Sequence, residues 1–181
     1  MRVASLARAI DQSLWHAATP PRFVGALPTE VDVAIIGGGI CGLTAAYLLK
    51  KAGKRVAVLE RERLGAGDTG NTSAHLTYLT DERISDLAER FGEEAARLVW
   101  RGGEVAIDLI ESNSGVGIDC GFRRVPGYLC APFFDDDDPA ASHEALRADA
   151  GLAHKLGFAV HFAELAPPTG KPAIAFADQA I

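Results

Sequence analysis

VDVAIIGGGICGLTAAYLLKKAGKRVAVLERE, Val31 to Glu62, changes its hydrophobic period twice. An apolar run from Val31 to Ile36 stops at Gly37-Gly38-Gly39. Apolar residues then recur at helical spacing through Leu43, Ala46, Leu48 and Leu49, halt at Gly53, and give a second short run, Val56 to Leu59, that ends on Glu60. The pattern predicts strand, tight turn, helix, strand, which is the βαβ unit that holds dinucleotides.

Each glycine of Gly37-x-Gly39-x-x-Gly42 has its own physical reason. Gly37 permits the sharp strand-to-helix turn, Gly39 lets backbone approach a pyrophosphate, and Gly42 lets the helix lie close to the strand. N–H groups and the positive dipole end at the helix N-terminus meet the phosphate charge. Glu60 is placed to accept hydrogen bonds from a ribose diol, and its charge repels a 2′-phosphate, which argues against NADP. Cys41, inside the motif, reads as a small buried hydrophobe. NAD and FAD both use such a turn, and the next stretch, Gly65 to His75 (GAGDTGNTSAH), favours FAD. It sets the hydroxyls of Thr69, Thr72 and Ser73 and the Asn71 amide beside glycines, as a ligand with a second ribose-like chain and a flavin ring requires.

Outward from this unit, residues 1–30 read as an irregular N-terminal tail interrupted by Pro20-Pro21 and Pro28. Thr80 is expected to N-cap two helical segments whose apolar residues run from Ile84 to Leu109, with Gly92 and Gly102-Gly103 as weak points. Phe122–Val125 and Tyr128–Phe133 flank Pro126-Gly127 and read as a β-hairpin. Asp135 to Asp138 form a solvated loop without the alternating ligands of a calcium site. A helix runs from Pro139 to about Lys155 and stops at Gly157; Phe158–Phe162 reads as a short strand.

The 181 residues are 48% hydrophobic and 23% charged, with a net charge of −6, so attraction to nucleic acid or anionic membranes is not expected. No apolar stretch has the length of a membrane span. Three cysteines without a C-x-x-C, and five scattered histidines, argue for a reducing cytosol and against a bound metal.

The quoted segments, with SLWHAATPP near the start and DCGFRRVPGYLCA further on, resemble the D-amino-acid-oxidase-like superfamily of FAD-dependent oxidoreductases, nearest the branch whose longer members carry a C-terminal Rieske domain. The resemblance implies a Rossmann-type α/β fold: an FAD-binding βαβ unit with an incomplete parallel sheet, then the start of an α+β substrate domain. It divides the chain into the lead-in 1–30, the N-terminal part of the FAD-binding domain 31–115, and the beginning of a substrate domain 116–181. It implies oxidation of a C–N bond in an amine or amino acid by hydride transfer to flavin. The candidate cofactor contacts are Gly37, Gly39, Ile40, Cys41, Gly42, Glu60, Arg61, Thr69, Thr72, Ser73 and His75, and no covalent flavin link to His75 is expected. Arg123 and Arg124 could meet a substrate carboxylate or lie on a solvated strand. No Rieske ligand pair occurs in the sequence, so such a cluster belongs only to a longer parent. With only two parallel strands in view, the chain reads as the N-terminal part of a longer enzyme. The alternatives are a non-catalytic FAD/NAD-binding module and an inactive remnant.

Overall fold

The computed structural model describes residues 26, 28–115, 117, 119–130, 139–167 and 169–181. Most of the lead-in, the end of the expected hairpin and the four-aspartate loop lie outside them. The chain divides into two compact units, Met1–Ser73 and Ala74–Ile181.

The first unit is the expected βαβ turn. Strands β1 (Val33–Ile36) and β2 (Val56–Leu59) are parallel, in register from Val33↔Val56 to Ile36↔Leu59. Helix α1 (Ile40–Lys51) connects them. Lys50 and Lys51 sit at its negative dipole end, and Gly53, at φ +80°, turns the chain out of it. Where the two strands begin, the Arg55 backbone N–H donates to Asp32 Oδ2 at 2.8 Å, and the Asp32 N–H donates to the Arg55 carbonyl at 2.9 Å. No residue of α1 is fully buried, and Ile36 is 89% exposed.

The second unit holds the hydrophobic core. Helices α2 (Ile84–Phe91) and α3 (Glu93–Ser114) are followed by strand β3 (Arg124–Cys130), helix α4 (Pro139–Lys155), and strands β4 (Val160–Ala163) and β5 (Ala173–Ala180). The sheet is antiparallel in the order β3-β5-β4. Ala96, Trp100 and Ile107 mark the inner face of α3 at helical spacing. Trp100 meets Phe158 and Phe176 with ring centroids 5.3 and 5.8 Å apart, and Tyr78 closes the cluster. Burial pushes the Tyr78 hydroxyl well above the ordinary tyrosine range, so the ring stays neutral.

Four expectations are corrected here. Pro126-Gly127 is no hairpin turn: β3 runs straight through it, with a register shift between Val125 and Gly127. β3 is an edge strand, so the missing proline N–H breaks no ladder. A Cβ on Gly127 would come 2.5 Å from the Gln179 side chain across the bulge. Thr80 does not cap a helix; its hydroxyl donates to the Glu82 carbonyl, and Arg83 precedes the first turn of α2. Gly102-Gly103 does not weaken α3, which is continuous; Gly103 is the point where the helix passes Tyr78, whose Cβ would lie 2.6 Å from an added methyl. Finally, Cys41 is exposed, not buried: it lies in the first turn of α1, at the open end of the helix.

Candidate functional site

At the end of β1, Gly37 has φ +103°, a conformation that L side chains rarely adopt, and its N–H still donates to Leu59 O at 2.9 Å. The chain therefore leaves the sheet only after one more parallel hydrogen bond. Gly42 is the third residue of α1, where a Cβ would stand 2.1 Å from the Gly37 carbonyl oxygen and 3.3 Å from Ile35 Cγ2. Only a hydrogen lets helix and strand approach this closely.

Gly38, between the fingerprint positions, is the residue that the sequence reading passed over. It is buried, and a Cβ there would meet Leu64 Cδ2 at 2.6 Å and Glu60 Oε2 at 3.1 Å. Its N–H donates to Glu60 Oε2 at 2.7 Å, and its carbonyl accepts the Gly65 N–H at 2.9 Å. The other Glu60 oxygen accepts the Glu62 N–H at 2.8 Å. These donors, Glu62 first and Gly38 second, hold the Glu60 carboxyl below the usual range, so it is ionised at neutral pH. Each oxygen keeps a lone pair for a further donor. Sequence alone signals Gly38 only as the middle of three glycines; its reason, Leu64, lies 26 residues further along the chain.

The loop after Glu60 folds back over the helix N-terminus. Thr69, in a short 3₁₀ turn (Asp68–Asn71), accepts the Ile40 N–H at 2.9 Å, and a Cβ on Gly39 would stand 3.3 Å from the same hydroxyl. Among the described residues no hydrogen bond takes the N–H groups of Gly39, Cys41 or Gly42. They stand at the positive end of α1, whose N-cap residue, Gly39, has no side chain to cap them.

Of the residues read from sequence, the structure brings Gly37, Gly39, Ile40, Cys41, Glu60, Arg61 and Thr69 to the wall of one cleft of about 510 Å³. Gly42 sits behind the wall, against Gly37. Arg61 is at the rim, its guanidinium 3.3 Å from Glu62 and 90% exposed. Thr72 and Ser73 follow the 3₁₀ turn on the surface and do not line this cleft; His75 belongs to the second unit, next to the bridge Leu76↔Ala180. Arg124 is committed elsewhere: its guanidinium bonds Asp108 at 2.6 Å and Glu111 at 2.7 Å, so it is not held ready for a substrate carboxylate. No helix among the described residues is long and apolar enough to cross a membrane.

A strand, a glycine turn with unpaired N–H groups and an ionised acid at the end of the next strand define a dinucleotide-binding βαβ unit. The profile of the FAD dependent oxidoreductase (DAO) family matches residues 32–177, and the chain belongs to that family. Among its relatives is a protein named as a Rieske 2Fe-2S iron-sulfur protein, YhfW, of Bacillus subtilis, 36% identical over 126 residues. That match covers 68% of this chain and 25% of the relative. The gamma-glutamylputrescine oxidoreductase of Escherichia coli is 34% identical over 102 residues, covering 54% of this chain and 23% of the relative. This chain thus spans about a quarter of the length of either protein. Among solved structures, the L-amino acid deaminase of Proteus vulgaris superposes with a TM-score of 0.60 over 92% of this chain and 42% of its own. At 18% identity that likeness shows a shared fold.

Proposed function

We propose that the glycine turn of this chain binds FAD, and that the protein oxidises the C–N bond of an amine or amino acid by passing hydride to the flavin. The observation that carries the reading is the cleft at the N-terminus of α1, whose wall holds the untaken N–H groups of Gly39 and Cys41, with that of Gly42 just behind, and the ionised Glu60. The residues present fit the adenosine diphosphate half of FAD. The N–H groups of Gly39, Cys41 and Gly42 and the α1 dipole hold the pyrophosphate, and Glu60 takes the ribose diol with the lone pairs left by Gly38 and Glu62. Thr72, Ser73 and His75 follow in the chain toward the ribityl and flavin end.

Bound FAD supplies the ring that accepts the hydride, and this chain supplies binding and orientation. The amine or amino-acid substrate class is supported by the named activities of the oxidoreductase and deaminase relatives. Residues 31–115 then serve as the first part of the FAD-binding portion, and 116–181 open the substrate portion. A Rieske cluster of the kind named in the Bacillus relative takes its ligands from sequence outside these residues. Three free thiols suit a reducing cytosol.

The test is a visible absorbance spectrum of the purified chain after incubation with FAD and desalting. A retained flavin spectrum that excess NADP does not displace supports the reading. A colourless protein that also fails to change FAD fluorescence refutes binding by this chain.

A further inference from the structure

Gly38 is the joint between the two halves of the dinucleotide site. Its N–H donates to Glu60 Oε2 at 2.7 Å, and so fixes the acid proposed for the ribose. Its carbonyl accepts the Gly65 N–H at 2.9 Å, and so fixes the next peptide plane. That plane is trans, with its carbonyl and its N–H on opposite sides. The Gly39 N–H, one of the untaken donors of the turn, therefore points away from Gly65. Glycine has the widest choice of backbone angles, so this direction lasts only while Gly38 is held.

What holds it is a second turn. The Ala66 N–H donates to the Arg63 carbonyl at 3.1 Å, which closes the chain around Leu64 and Gly65. Gly65 takes φ +70°, as the third residue of a type II turn does. This turn brings two contacts to one residue. The Gly65 N–H meets the Gly38 carbonyl, and the Leu64 side chain covers the Gly38 Cα, where an added Cβ would stand 2.6 Å from Leu64 Cδ2. Gly38 is buried beneath it, although it belongs to the wall of the cleft. Leu64 itself does not line the cleft. Its removal lets water compete for both bonds of Gly38.

We propose that Leu64 is a positioning residue for the cofactor: from behind the cleft it locks the Gly38 peptide, and through that peptide it sets both the Glu60 carboxylate and the Gly39 N–H. It rests on the FAD reading above for its ligand and on the ligand-free geometry for its mechanism. The first test therefore uses no ligand. Amide hydrogen exchange, followed by NMR, is expected to show Gly38 and Gly65 protected in wild-type chain. In Leu64→Ala both should exchange about tenfold faster, and in Leu64→Met, which keeps the volume, close to the wild-type rate. Unchanged protection in Leu64→Ala overturns the proposal whether or not FAD binds.

The second test is an FAD titration by flavin fluorescence in a double-mutant cycle. Leu64→Ala should bind FAD about tenfold more weakly than wild type. Gly38→Ala strains no backbone, since Gly38 has no positive φ, but its methyl displaces Leu64 Cδ2, so it should lose about as much. Both changes remove one and the same contact. The double variant should therefore bind within about threefold of the weaker single one, a margin for the 3.1 and 3.2 Å contacts of that methyl with Glu60. A residue that only stabilised the loop would add its loss to that at Gly38. Losses that multiply to about a hundredfold, or Leu64→Ala binding as tightly as wild type, overturn the proposal. If wild-type chain binds no FAD, the cofactor reading fails, and the exchange rates alone decide the role of Leu64.

Discussion

The packing at Gly42 makes a quantitative test of the site. In an exposed helix interior, glycine to alanine stabilises by about 0.5–1 kcal/mol. Gly151, in the middle of α4 with nothing within 4 Å of an added methyl, should show that gain. Gly42 should show the reverse. Its methyl would stand 2.1 Å from the Gly37 carbonyl oxygen, about 1 Å inside the closest approach that carbon tolerates. The obstacle is backbone, which has no rotamer to escape into, so α1 must shift away from β1. Overpacking of this kind costs ~3 kcal/mol at the upper end of its usual range. Offset by ~1 kcal/mol of helix propensity, the net loss is about 2 kcal/mol. The shift moves the N–H groups of Cys41 and Gly42 directly, so the loss falls on the ligand cradle. At 1.4 kcal/mol per tenfold, FAD should bind Gly42→Ala roughly 30-fold more weakly than wild type. Flavin fluorescence titration measures the ratio, and urea denaturation of Gly151→Ala supplies the control. If Gly42→Ala binds FAD as tightly as wild type, the close approach at Gly37 does not set the geometry of the cradle.

Two further outcomes follow from the charges. Glu60 has its folded pKa lowered by the N–H groups of Glu62 and Gly38, so its contribution is complete above the ordinary glutamate range and is lost as pH falls through the lowered value. FAD affinity should therefore stay level through neutral and mildly acidic pH and weaken only below the ordinary glutamate range; in Glu60→Gln the same titration should be weaker throughout and lack that acid limb. Asp149 is 1% exposed and accepts Arg83 Nε at 2.7 Å, while Arg83 is 39% exposed. Arg83→Met strands a buried carboxylate and should cost ~3 kcal/mol, near the lower bound for a broken buried pair because water reaches one partner. Asp149→Asn frees an arginine that turns to solvent, and should cost about 1–2 kcal/mol. Urea midpoints in the opposite order would refute this assignment.

The parts legible in sequence were those decided within about 30 residues. The βαβ unit announces itself because the apolar period switches from two to 3.6 and back, with glycines at both switches. Helix α4 could be read from Pro139, its apolar spacing and Gly157, which indeed leaves the helix at φ +92°. Long-range facts were hidden. Pro126-Gly127 has the composition of a turn, and only β5, some 50 residues later, makes it a bulge on an edge strand. Gly102-Gly103 has the composition of a weak point, and only Tyr78 makes the second glycine a packing requirement.

The site divides along the same line, and the division bears on what the chain does. Gly37 and Gly42 answer to each other across five residues, and their spacing carries that relation in any sequence with the motif. Gly38, Glu60, Leu64 and Thr69 answer to a fold of the loop that no spacing rule encodes. Two of the bonds from that loop use the turn's own N–H groups: Glu60 takes that of Gly38 and Thr69 that of Ile40. Both acceptors are oxygens, as those of a phosphate are, and Thr69 lies on the segment, Gly65 to His75, whose small residues point to FAD in the sequence. An FAD pyrophosphate bound there, as proposed, would meet a turn already shaped by the protein's own oxygen ligands, with little ordering cost left to offset.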